Sequence, residues 1–404
     1  MLRPALGALA LLAACSSGPS AAPEAVGRAA AEPGLAAVPD TLDVIAARVD
    51  SEDAAFRVVR VVGGLQNPWA MAFLPDGRLL VTERPGRLLL VDGGRATPVA
   101  GTPEVAARGQ GGLLDVALHP RFEDNRLVYL TYATGDGRGL GTRLARARLA
   151  DDARALDDLE VLYTLPQLSN AGQHFGSRLA FLPDGTLLMT IGDRGQMDRA
   201  QDRADAAGAT LRFSDDGSVP PDNPFVGEPG VRPELYTYGN RNSQGMAVEP
   251  GTGRVWQTEH GPRGGDELNV IRPGRNYGWP EVSLGADYVT RRPIGQRPPA
   301  PGVEDAVTHW TPSIAPSGLA FYAGDAFPAW RGNLFAGALA HRQVRRIVLD
   351  GERVVRQEIL LEGLLGRIRD VRVGPDGLVY VATDENPGGV YRLEPVGAGQ
   401  AQQR

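Results

Sequence analysis

From residue 55 the chain alternates apolar and polar positions in short runs, and the runs come in pairs joined by a turn built on Pro or Gly. The clearest copy is WAMAFLPDGRLLVTE, from Trp69 to Glu83. It returns as DVALHPRFEDNRLVYLTY from Asp115, RLAFLPDGTLLMTIGD from Arg178 and GMAVEPGTGRVWQTEH from Gly245. A looser copy, GLAFYAGDAFPAWRGNLFAG, starts at Gly318, and the last, DVRVGPDGLVYVATDE, starts at Asp370. Each reads as a β-hairpin. Six of them, spaced by roughly 45 to 75 residues, are too regular for a sandwich. The pattern predicts an all-β fold, a six-bladed β-propeller of four-stranded antiparallel blades. GRLLLVD after Pro85 and VYRLEP near the C-terminus supply further strands.

This arrangement places residues. The position before the first strand of a hairpin and the position after its second strand lie at one end, and the Pro-Asp-Gly turns lie at the other. One rim should therefore collect Gln110, Gln173 and His174, the run Asn240-Arg241-Asn242, Trp310, Arg367 and Arg369. It should also collect Asp193, which leaves the third hairpin, and the stretch His260-Gly261-Pro262 to Asp266-Glu267, which leaves the fourth. Polar, convergent and interleaved with glycine, the set reads as a pocket for an oxygen-rich ligand.

The N-terminal end reads differently. Met1-Leu2-Arg3 followed by apolar and small residues to Leu12-Ala13-Ala14-Cys15 has the form of a signal peptide, too short to span a bilayer. Its end resembles a bacterial lipobox. The resemblance implies lipid on Cys15, a membrane anchor, and an exported protein held in the cell envelope, with Ser16 favouring the outer membrane facing the periplasm. Residues 16–54, rich in Ala, Pro and Ser, read as a tether, with a short helix over Thr41 to Val49. The propeller is expected over residues 55–396, with a flexible tail at 397–404. Cys15 is the single cysteine, so the folded body has neither disulfide nor thiol chemistry.

Charge narrows the partners. The 42 basic residues are all arginine, and the net charge of -6 argues against nucleic acid. Arginine forks on one rim suit a ligand carrying several carboxylates or phosphates. Asp193 leaves the hairpin that His174 enters, so the carboxylate can hold one imidazole nitrogen protonated and leave the other as a base. The glycine carbonyls and carboxylates of His260 to Glu267 suit a hard cation such as Ca²⁺, with a solvated acidic turn as the alternative. No G-x-S-x-G, no P-loop, no zinc spacing and no Rossmann fingerprint is present.

Taken together, LQNPWAMAFLPDGRLLVTER, GQGGLLDVALHPRF, HFGSRLAFLPDGTLLMTIGDRG, GNRNSQGMAVEP, EHGPRGGDELNVI, NYGWP and GRIRDVRVGPDG resemble the soluble pyrroloquinoline-quinone-dependent sugar dehydrogenases, in the aldose sugar dehydrogenase branch of the glucose/sorbosone dehydrogenase family. The likeness runs from about residue 60 to 395. It implies that the quinone lies on the rim, that His174 takes the proton of the anomeric hydroxyl, and that Asp193 orients it. It further implies that Gln110, Arg241, Asn242, His260, Asp266, Arg367 and Arg369 meet cofactor or substrate. The Gly261 and Pro262 carbonyls would hold a Ca²⁺ that polarises the quinone, with Arg241 beside the developing charge. Glu267 and Tyr277 match a second, structural Ca²⁺ site. The implied reaction is oxidation of aldoses to lactones, with electrons passed to an external acceptor. Three features depart from the pattern, one being Trp310, offset by about one residue from a stacking tryptophan in the glucose-oxidising branch. Relatives place a lysine against the quinone from the fifth blade, whereas Gly337 to Arg342 has none and offers only His341 or Arg342. His260 stands where some relatives have glutamine. A calcium-dependent lactonase and a non-catalytic sugar-binding propeller are the alternatives on the same fold.

Overall fold

The structure, a computed structural model, describes residues 43–397. The signal segment, Cys15 and the tether up to residue 42 lie outside the described residues, as does the tail beyond Gly397. All six expected hairpins form, and each supplies the two inner strands of a sheet. Blade I runs from Pro68–Phe73 to Arg95–Val99, blade II from Leu113–Leu118 to Leu156–Thr164, and blade III from Leu179–Phe181 to Leu235–Tyr238. Blade IV spans Ser243–Val248 to Thr308–Trp310, and blade V spans Pro316–Phe321 to Arg353–Leu360. Blade VI is built from Ile368–Val373, Val379–Thr383 and Gly388–Pro395. The innermost strands pack each against the next and close a ring of six.

Closure uses the front of the chain. Ala55–Leu65 pairs with Gly388–Pro395, so blade VI joins both ends of the described chain, and Asp43–Asp50 adds a fifth strand outside it. The helix expected over Thr41 to Val49 is therefore corrected to a strand from Asp43. Ile45, Ala46 and Val49 have a helix-like spacing. Register shifts between Val44 and Ala46, and between Ala46 and Val49, let all three pack on the blade VI core while the segment stays extended.

The blades are stitched by a repeated hydroxyl. Thr82 donates to Leu114 O (2.6 Å), Thr131 to Ser177 O (2.7 Å) and Thr190 to Ser243 O (2.8 Å), each from a second strand into the neighbouring blade. In blade V the corresponding place is Gly337, and Ser317 supplies the bond instead, to Ile368 O at 2.7 Å. Along the axis, Arg178 lies 3.0 Å from Asp115 and 3.1 Å from Asp370, and all three side chains are fully buried. Arg372 closes the cluster at 3.2 and 3.0 Å from the same two carboxylates. Two guanidinium groups thus balance two carboxylates where the inner strands converge.

At the far end the Pro-Asp-Gly turns have the expected form: the Asp76 and Asp184 carboxylates accept from the backbone N–H two residues on, and Gly77 and Gly185 take φ of 85° and 84°. The opposite rim is left for chemistry.

Candidate active site

His174 and Asp193 meet on that rim, as the hairpin geometry requires. His174 Nδ1 lies 2.6 Å from Asp193 Oδ1. The His174 backbone has a left-handed φ of 58°, uncommon for a side chain of this size. It is fixed there from two sides. Its N–H donates to the Gln110 side chain (2.9 Å), and Gly192 passes so close that a Cβ would stand 2.3 Å from His174 O.

Asp193 is over-determined as well. Its Oδ1 also accepts from the Gly195 N–H at 2.7 Å, and its Oδ2 accepts from the Trp279 indole at 2.9 Å. Burial alone would raise its pKa; the His174 bond, the charges of His174 and Arg241 and the Gly195 N–H hold it below the usual carboxylate value. It is an anion at neutral pH. His174 itself is shifted down, chiefly by burial and further by Arg241, with Asp193 opposing. Neutral imidazole with Nδ1–H toward Asp193 leaves the Nε2 lone pair as a base.

Arg241 stands beside this pair. Its guanidinium donates to His260 O (3.1 Å) and Gly261 O (3.0 Å) and lies over the Trp279 ring at 5.2 Å, while its buried Nε has no partner. Asn242 accepts from Gly176 N–H (3.1 Å) and leaves its Nδ2 buried and unpartnered. Arg369 pairs with Asp384 and donates to Gln244 (2.6 Å), again with a bare Nε. Arg367 is exposed at the edge, reaching Leu339 O at 3.5 Å. Buried donors without acceptors are uncommon in folded proteins; others occur elsewhere in the structure, but those of Arg241, Asn242 and Arg369 share the rim with the His174–Asp193 pair, where an acceptor-rich ligand would satisfy them.

The remaining candidates divide. His260 is half-buried and donates from Nε2 to Pro316 O at 2.6 Å; desolvation with the Arg241 charge drives its pKa to about 3, so it stays neutral. Asp266 accepts from Gly261 N–H, from the Ser313 hydroxyl, and from the Ile314 and Ala315 N–H groups at 2.7–2.9 Å. Its oxygens are thereby engaged within the protein, where they hold Gly261 and the 313–315 turn. The Gly261 and Pro262 carbonyls are hard donors, but Gly261 O already accepts from Arg241. Two neutral carbonyls fall short of the six to eight oxygens that Ca²⁺ takes.

Glu267 and Tyr277 do come together, on a cavity of about 350 Å³ that Glu304 and Asp305 also line. The Tyr277 hydroxyl is committed, donating to Val270 O and accepting from Arg272 N–H, both at 2.8 Å. Burial and the neighbouring Glu259 push the Glu267 carboxyl up to about 8. Among the described residues no group of three or more His, Cys, Asp or Glu is arranged to hold a metal. His341 and Arg342 are both exposed, at a turn whose Leu339 and Ala340 N–H groups bond to Ala315 O and Ile314 O.

Two contributors were not singled out in the sequence. Asp384, partner of Arg369 and acceptor from Asn67, leaves the sixth hairpin and so obeys the same rule that marked Asp193. Trp279 comes from the long connection after Asp266–Ile271, where no strand pattern locates it.

A profile of the Glucose / Sorbosone dehydrogenase family matches residues 65–392. An uncharacterised protein of Synechocystis is 47% identical over 366 residues, covering 86% of this chain and 88% of that one. The aldose sugar dehydrogenase YliI of Escherichia coli is 42% identical over 337 residues, 82% of this chain and 91% of its own; the apo-form structure of the Escherichia coli soluble aldose sugar dehydrogenase superposes with a TM-score of 0.81, covering 84% of this chain and all of that one. A PQQ-bound aldose sugar dehydrogenase of Streptomyces coelicolor is 30% identical with a TM-score of 0.70, covering 89% of this chain and 99% of that one.

Proposed function

Because the chain belongs to the glucose/sorbosone dehydrogenase family, and so is a sugar dehydrogenase of the PQQ-type propeller kind, we propose that it oxidises the anomeric carbon of free aldoses to lactones with pyrroloquinoline quinone. The observation that carries this reading is the His174–Asp193 pair beside a rim of arginines with unpartnered nitrogens.

The residues fit the cofactor. Arg241 and Arg369, with Arg367 at the edge, match a planar ligand bearing three carboxylates, and Asn242 Nδ2 and Arg241 Nε are donors that lack acceptors. Bound there, the quinone supplies a two-electron acceptor for the hydride of the anomeric carbon. The rest is the protein's work. His174 Nε2 takes the proton of the anomeric hydroxyl. Asp193 stabilises the imidazolium that results, and Trp279 and Gly195 keep Asp193 aimed. Arg241, held on two carbonyls, presents fixed positive charge with little reorganisation. The fit to Ca²⁺ is partial: Gly261 O and Pro262 O can serve only if most of the shell comes from cofactor or water. Export, the lipid on Cys15 and transfer to an external acceptor belong to the same reading and rest on the sequence.

Reconstituting the full chain with the quinone, with and without Ca²⁺, and following aldose-dependent dye reduction tests the proposal. Activity that His174→Ala lowers by at least about 100-fold is expected. Metal-dependent acid release from a lactone without quinone would instead favour a lactonase.

A further inference from the structure

The loop that carries His174 is held by a residue that takes no part in the proton transfer. Arg194 follows Asp193 in the chain, and its side chain is fully buried. Both terminal nitrogens donate to backbone carbonyls, Nη1 to Gln173 O and Nη2 to Ala171 O, the second at 3.0 Å. The guanidinium lies over the Phe175 ring, 3.5 Å from its centre. The neighbouring carboxylates are engaged elsewhere, Asp193 with His174 and Asp205 with Arg199. Burial, reinforced by the Arg199 charge and opposed by Asp193, brings the Arg194 pKa down to about 9, which leaves a cation at neutral pH. A buried charge balanced only by carbonyls and a ring is costly to keep.

What it secures is one peptide group. The peptide between Gln173 and His174 is gripped at both ends: its C=O accepts from Arg194, and its N–H donates to the Gln110 side chain at 2.9 Å. A planar group fixed at its oxygen and at its hydrogen cannot swing, and its orientation sets the His174 φ of 58°. The carbonyl in between, Gly172 O, accepts from the Gln110 N–H at 2.7 Å, so three successive carbonyls are taken. The start of the loop is tied as well. Ser169 exchanges backbone bonds with Leu140 of blade II at 2.8 and 2.9 Å, and its hydroxyl donates to Arg194 O at 2.9 Å. Released from these grips, a histidine relaxes to negative φ, which carries the imidazole off Asp193.

We infer that Arg194 is a positioning residue: its planar fork, closed on the carbonyls of Ala171 and Gln173, holds His174 in the left-handed conformation that puts Nδ1 on Asp193 and leaves Nε2 free. Its charge acts in the same sense. His174 is faced by Asp193, Arg194, Arg241 and the neutral His260; the two arginines disfavour its protonation, and Asp193 favours it. The consequence for turnover rests on the reading of His174 as the base, whereas the conformation does not.

The test reads the imidazole in the isotope-labelled full-length apoprotein. The chain has five histidines, and His174→Ala assigns the signal in question. Two-bond proton–nitrogen correlation spectra should show wild-type His174 as a single Nδ1–H tautomer that protonates below the ordinary histidine range. Arg194→Met removes fork and charge: both tautomers should appear, and the protonation midpoint should rise. Arg194→Lys keeps a cationic head but not the fork, and the tautomers should mix there too. Thermal melts and unchanged signals from the other four histidines establish folding, and Arg194→Lys decides alone where Arg194→Met does not fold. A folded variant whose His174 keeps the single Nδ1–H tautomer would overturn the inference, as would an Nε2–H tautomer in wild type. In the quinone-loaded enzyme either variant should lower kcat by roughly ten-fold, with KM for the aldose within about two-fold of wild type. Wild type without turnover would count against the proposed function and leave the tautomer result standing.

Discussion

The axis and the mouth of the propeller use the same residue types to opposite ends. On the axis, Arg178 and Arg372 face Asp115 and Asp370, and the carboxylates also accept from the Leu179 and Met71 N–H groups. Charge is balanced within the protein, two guanidinium groups against two carboxylates, although Arg178 Nη2 and Asp370 Oδ1 keep no hydrogen-bond partner. On the rim, Arg241 leans on backbone carbonyls, Arg367 reaches outward, and Nε of Arg241 and of Arg369 stays bare. A charge-balanced set of ion pairs links blades II, III and VI, whereas the rim set has fewer counter-charges and is stabilised further when a ligand arrives. The contrast lies in the counter-charge: the axial guanidinium groups face carboxylates, whereas that of Arg241 has only neutral carbonyls.

Breaking the axis should cost the most. Arg178→Met leaves Asp115 and Asp370 buried against a single arginine, and a loss of about 3–5 kcal/mol is expected in denaturant unfolding. Arg241→Gln is the contrasting change: stability within about 1 kcal/mol of wild type, but loss of quinone-dependent activity by at least about ten-fold in steady-state assays.

Acid sharpens the comparison further. His260 has a folded pKa near 3, far below its unfolded value of about 6.5, so between those values the unfolded chain binds more protons. Its contribution to stability is therefore complete above about pH 6.5 and is lost as pH falls through that window. His260→Gln, which can keep the bond to Pro316 O, should flatten the acid limb of a pH-stability curve. His174, lowered in the same direction, places the rising limb of kcat/KM below its ordinary value near 6.5. The smallest effect is expected from Trp279→Phe. It removes one donor to Asp193 and should lower kcat by a few-fold, about 1 kcal/mol, without changing the melting temperature measurably.

The blades could be read from the sequence because their information is local: two-residue alternation and Pro-Asp-Gly turns define each hairpin without reference to the rest. The rim could be read because hairpin topology alone decides which residues share an end, and His174, Asp193 and Arg241 met there as expected. Closure could not be read. Ala55–Leu65 finds its partner more than three hundred residues away, and Asp43–Asp50 disguises its strand with two bulges. That Asp266 grips its own backbone could not be read either, because a carboxylate near glycines looks the same in sequence whether it grips a ligand or its own chain. Trp279 was missed because it reaches Asp193 from a connection with no period, and only the folded path of that segment puts the indole there.

The central claim is that the open arginine set on the rim is a quinone site while the closed set on the axis is structural. Absorbance titration of the full-length apoprotein with pyrroloquinoline quinone, run on wild type, Arg241→Gln and a folded axial variant such as Arg372→Gln, tests it directly. Saturable binding by wild type and the axial variant, weakened at least about ten-fold in Arg241→Gln, is the expected result. Equal affinity in all three, or no saturable binding by wild type, would contradict it.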